Sequence, residues 1–147
     1  MMPSASLKAF FDLFFTNWMS HKPYGELFSK KAVVISTAAG AGAKKAAALC
    51  SDVLFNWGIP KIYTYGINVN AFDWEHTPSK KKTQIQRKTD FLAKEISKNK
   101  TVRPGIKLRL MFSLYRGMQK ANWGASPEEK EYWKKQGWLE NARPWKN

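Results

Sequence analysis

The chain has 147 residues, 44% hydrophobic and 24% charged, a composition that excludes a disordered chain and suffices for one globular domain with a core. A net charge of +14 comes from cations spread between Lys8 and Lys146, with one tight run at Lys80-Lys81-Lys82. That diffuse positive field suits anionic cofactors better than a dedicated nucleic-acid surface. The lone Cys50 rules out an intramolecular disulfide framework, and no apolar stretch reaches the roughly 18–20 residues that span a bilayer, so a cytoplasmic protein is expected.

In chain order, residues 4–19 place Leu7, Phe10, Phe11, Phe14, Phe15 and Trp18 at helical spacings, with Ser4 or Ser6 as the cap. The apolar face is wide, which predicts a helix lying against a sheet or a partner subunit. His21 to Gly25 reads as a turn, and His21 as an exposed side chain.

Ala32-Val33-Val34-Ile35 is a short, uncharged, β-branched run of the kind buried on both faces in a parallel sheet. Ser36 and Thr37 close it. Gly40 and Gly42 then open a loop before a helix predicted over 43–57, in whose Ala-rich first half Cys50 is expected to be buried. Gly58 stops that helix and Pro60 bars its continuation. Residues 61–69 mix β-branched and aromatic residues and predict a second strand, so 32–69 forms one right-handed βαβ unit.

Asp73 to Pro78 is a loop. Thr77 is the expected cap of a helix that starts at Pro78 and runs to about Asn99, with Ile85, Phe91, Leu92 and Ile96 buried. Residues 106–123 form a second basic amphipathic helix, with Leu108, Met111, Phe112 and Tyr115 on one side. Packing on the protein body or a dimer mate is the favoured role of that side, ahead of contact with a membrane surface. Ser126-Pro127-Glu128-Glu129 is a capping box that opens a short helix ended by Gly137. Trp138, Arg143, Pro144 and Trp145 then supply an aromatic tail of interface-anchoring type.

Strand, glycine loop and helix is the arrangement by which open α/β sheets bind cofactors at the carboxyl ends of their strands. On the residues alone, 37–42 reads equally as a tight turn and as a ligand loop. It is not a Walker loop, lacking Gly-Lys-Ser/Thr, nor a dinucleotide fingerprint, since Lys45 stands where the third glycine would be. What it offers is backbone N–H groups and the Thr37 hydroxyl near a helix N-terminus. No G-x-S-x-G supports hydrolysis, and His21, His76 and Cys50 lack metal-ligand spacing.

Two strands among four or five helices look like the second half of a doubly wound α/β domain. The segments SASLKAFFD, TNWMSHKP, KAVVISTAAGAGAKK and LFNWGIPKIYTYGI, with the tail from RPGIKLRLMFSLYRGMQKANW onward, make the chain resemble the flavodoxin-like NAD(P)H-dependent oxidoreductases of FMN-reductase type. The likeness starts at the family's third helix, which implies an N-terminally truncated form. It implies a partial flavodoxin-like domain over 1–100, its two strands the last two of a five-stranded parallel sheet, and a helical C-terminal extension over 101–147. It further implies FMN as cofactor, NAD(P)H as electron donor, a small-molecule electron acceptor and a homodimer. Thr37, Ala38, Ala39, Gly40, Ala41 and Gly42 would then line the flavin ring, and Trp18 would cover it from a neighbouring subunit. The family's phosphate loop has no counterpart in the chain. The same resemblance admits a competing expectation, a non-enzymatic oligomerisation module built on the remnant fold.

Overall fold

The structure is a computed structural model that describes residues 2–146. It is a mixed α/β arrangement of five α-helices around a two-stranded parallel sheet. Strand β1 (Lys31–Ala38) pairs with β2 (Lys61–Asn68), from Lys31 opposite Lys61 to Ala38 opposite Asn68. Helix α2 (Ala43–Asn56) makes the crossover, and its alanines allow a close seat: Ala43, Ala46, Ala47 and Cys50 are buried. Helix α3 (Ser79–Ser97) covers the other face, where Leu92 and Ile85 pack on Val33, Tyr65 and Ile67.

Helix α4 (Ile106–Lys120) and α5 (Pro127–Lys135) belong to a larger apolar cluster at the amino end of the sheet. Its buried members are Met19, Phe28, Leu108, Phe112, Trp133 and Trp138. Phe112 stacks on Trp133 at 5.0 Å and meets Phe28 edge-on at 5.5 Å. Phe28 also sits under Gly58, whose φ of +95° and whose absent Cβ, which would fall 2.6 Å from the Phe28 ring, both require glycine. The capping box at α5 is present as read, with Ser126 and Glu129 each bonding the other's backbone N–H.

Several expectations are corrected. Helix α1 runs only from Ala5 to Leu13; Phe14 leaves helical geometry and a 3-10 turn follows over Phe15–Asn17. The chain is drawn away there because Met19 N–H donates to Asn56 O at the end of α2. None of α1's residues is buried, so its wide apolar face is not packed under a sheet. Helix α4 stops at Lys120, before Asn122 and Gly124 take positive φ. Thr77 does not cap α3; its hydroxyl donates to Asp73 O, and Pro78 occupies the cap position. Phe91 and Ile96 are about half exposed, because the two-stranded sheet is too narrow to cover that side of α3. The tail tryptophans are core rather than interface: Trp138 is buried and Trp145 packs against the same cluster. His21 is part-buried, its Nδ1 2.7 Å from Glu129 Oε1 and its carbonyl accepting from Trp133 Nε1. No helix among the described residues is long and apolar enough to cross a membrane.

Candidate functional site

Parallel pairing sets the carboxyl ends of both strands on one edge of the sheet, and the loop Ala39–Gly42 rises from that edge. The ladder continues past the strands: Val69 and Asn70 N–H donate to Ala38 and Ala39 O, both at 2.8 Å. The first half of the loop is thereby anchored to the segment after β2. Gly42 turns the chain into α2 with φ +92°, a conformation glycine adopts without a Cβ clash, and its carbonyl accepts the Ala46 N–H. Gly40 needs no such freedom; a Cβ there would meet nothing within 4 Å.

Two residues outside the predicted set hold the geometry. Gly66 in β2 lies directly against the start of α2, where an added Cβ would fall 2.5 Å from Lys44 N and 2.6 Å from Lys44 Cα. Asn68 Oδ1, at the end of β2, accepts the Ala43 N–H at 3.4 Å and so ties the first turn of α2. The signal for Gly66 was available: glycine inside a β-branched and aromatic strand marks a close backbone approach. Nothing in the sequence pointed to Asn68 beyond its position at the end of the second strand.

The structure brings Thr37, Ala38, Ala39, Gly40, Ala41 and Gly42 together on this edge. Ala38 is buried, while Thr37 and Ala39 to Ala41 are open to solvent. Among the described residues, no protein acceptor takes the N–H groups of Gly40, Ala41 and Gly42, and the Thr37 hydroxyl has no partner. Lys44 and Lys45 stand exposed in the first turn of α2 with no acidic residue beside them. Cations at the positive end of a helix cost about 0.3–1 kcal/mol each unless an anion is near.

Trp18 lies elsewhere. It adjoins Met19, which is bonded to the C-terminal end of α2, whereas the loop precedes the N-terminal end. Fourteen residues of helix separate the two, about 20 Å at 1.5 Å per residue. Within one chain Trp18 and the loop do not form one site.

Burial raises the Cys50 thiol above its ordinary value, which disfavours the thiolate. Among the described residues no cluster of His, Cys, Asp or Glu could hold a metal. No family model, no curated protein and no solved structure matches the chain.

Proposed function

We propose that the loop 37–42 is the ring-contacting part of an FMN site, and that the function served is two-electron transfer from NAD(P)H to a small-molecule acceptor in a flavodoxin-like oxidoreductase. The observation that carries this reading is the row of unclaimed N–H groups from Gly40 to Gly42, set at the carboxyl edge of a parallel βαβ unit. The donor set fits a flavin edge, whose carbonyls and ring nitrogens are neutral acceptors. The chemistry would come from the flavin itself, which takes two electrons from a nicotinamide and passes them on.

The chain's own residues would bind and orient. Gly40 leaves the backbone unobstructed, Gly42 aims the first turn of α2, and Gly66 and Asn68 fix that turn against β2. The positive end of α2, with Lys44 and Lys45, favours a ring that gains negative charge on reduction. Trp18 would contribute only from a second copy in a dimer, given its place at the far end of α2.

The test is a titration of FMN into the purified chain, followed by flavin fluorescence. Saturable quenching by about 50 μM, weakened at least fivefold in Gly66→Ala, is expected. No quenching in that range overturns the reading.

A second reading, an interaction module without catalysis, is favoured by the outer surface of α1, where Phe10 and Leu13 are 46% and 78% exposed. A stable colourless oligomer that takes up no FMN would select it.

A further inference from the structure

The free edge of β1 is the most unusual surface of this molecule. β2 pairs with one side of β1 only, and no strand lies on the other side among the described residues. Ala38 O points to β2, because it accepts the Val69 N–H. Alternation along the strand then turns the N–H and C=O of Val33, Ile35 and Thr37 outward. An edge of this kind is a template for another strand.

Beside the edge runs a groove of about 530 Å³. Five consecutive β1 residues, Val33 to Thr37, form one wall, which is possible only if the groove follows the strand's edge rather than one face. Ala46, Cys50 and Leu54 of α2 form the floor, and Leu7 and Phe11 of α1 the far wall. Helix α1 is on the same side of the sheet as α2, since Phe10, Phe11 and Phe14 pack edge-on against Trp57 at 6.2, 5.6 and 6.3 Å. It leads into β1 from beyond the open edge. That is where the crossover helix of a right-handed βαβ unit lies when its first strand is parallel to β1 and adjacent to it.

We propose that this edge and groove bind a peptide partner whose uncharged, β-branched residues pair parallel to β1. The charge pattern fits an uncharged occupant. The single cation of β1, Lys31, is held by the carbonyls of Glu95 and Lys98, and Lys8 of α1 is paired with Asp12. Of the groove's own lining, Met2, Leu7 and Ile35 are 38–63% exposed. At about 200 Å² per large side chain this is about 300 Å² of apolar contact, a strand-sized footprint in which main-chain hydrogen bonds along the edge supply the rest of the affinity. The inference is independent of the flavin reading.

The experiment uses the full chain, labelled for NMR, and a blocked peptide, Asp-Val-Val-Ile-Val-Thr-Val-Asp, with a nitroxide at its N-terminal end. Expected are saturable shifts at the Val33, Ile35 and Thr37 amides and nitroxide broadening near Lys31, the mark of parallel pairing. Ile35→Pro removes an outward N–H without touching the ladder to β2, and should weaken binding at least tenfold. Leu7→Asp, which puts a charge in the groove, should do the same and serves if the proline variant does not fold. The proposal is overturned by no saturation at about 1 mM peptide, by equal binding of a control with a Gly-Ser core, or by broadening near Ala38 instead. It is also overturned if the chain alone sediments at twice 16.9 kDa and Ile35→Pro abolishes that dimer, because the occupant is then a second copy.

Discussion

Gly66→Ala tests the packing that underlies the candidate site. The three atoms nearest the added Cβ are Lys44 N at 2.5 Å, Lys44 Cα at 2.6 Å and Ala43 C at 2.7 Å. All are backbone, so no side chain can rotate away and the first turn of α2 must move. Overpacking of this kind costs about 1–3 kcal/mol, and the lost glycine entropy returns about 0.5–1 kcal/mol. The net is about 1–2 kcal/mol, which for a chain of this size lowers Tm by about 3–8 °C. Gly40→Ala is the matched control. Its Cβ meets nothing within 4 Å and its φ is not left-handed, so the substitution should be neutral or stabilise by up to about 1 kcal/mol. Thermal unfolding followed by circular dichroism, with urea titration for the free energy, reads both. A Tm for Gly66→Ala within about 1 °C of wild type, or a Gly40→Ala loss of equal size, would refute the claim that α2 is seated on Gly66 and the loop glycine is free.

Ser126→Ala removes the side chain that accepts the Glu129 N–H and should cost about 1 kcal/mol in urea unfolding, with Ser126→Gly losing less. Phe112→Ala empties the centre of the aromatic cluster, against Trp133, Phe28 and Trp138, and should cost about 3–5 kcal/mol by the same measurement. Cys50 is pushed above its ordinary value by burial, so the folded chain keeps a proton that the unfolded chain releases. Stability should therefore fall as pH climbs through the unfolded thiol's range near about 8.5, and this part of the slope should vanish in Cys50→Ala.

The parts of the fold that were legible in the sequence are those where local chemistry and tertiary packing agree. The uncharged run at 32–35, the positive-φ glycines at 42, 58 and 137, and the Ser126 box each demand one local structure, and the fold supplies it. The two-sided burial expected of 32–35 is not met: none of the four is buried and Ile35 is 55% exposed, because a two-stranded sheet leaves β1 an open edge. The parts that were not legible depend on distant residues. Phe14 to Trp18 continue a helical pattern, yet the bond from Met19 N–H to Asn56 O redirects them. Thr77 has the right residue type for a cap, but the Asp73 carbonyl takes its hydroxyl. His21 does lie in a turn, but it looked exposed because its partner Glu129 is 108 positions away. The loop residues of the candidate site were readable, whereas Gly66 and Asn68, which fix them, show their role only once β2 is laid against α2.

The two ends of the sheet carry different burdens, and this bears on how function and stability can be separated. At the amino end, Met19, Phe28, Phe112, Trp133 and Trp138 interlock, and Arg116 ties α4 to the carbonyls of Trp138 and Leu139. Substitutions there should change unfolding free energy with little direct effect on the loop, which lies about 20 Å away along α2. At the carboxyl end the backbone is held by few contacts: two ladder bonds, the Asn68 bond to Ala43 and the fit of Gly66 under Lys44. That economy leaves the N–H groups of Gly40 to Gly42 free to donate to a ligand, and leaves their alignment sensitive to small shifts of α2. A Phe112→Leu variant should therefore lose stability yet retain any flavin affinity, whereas Gly66→Ala should lose both. If the two variants lose flavin affinity in proportion to stability alone, the loop is not a separately positioned site.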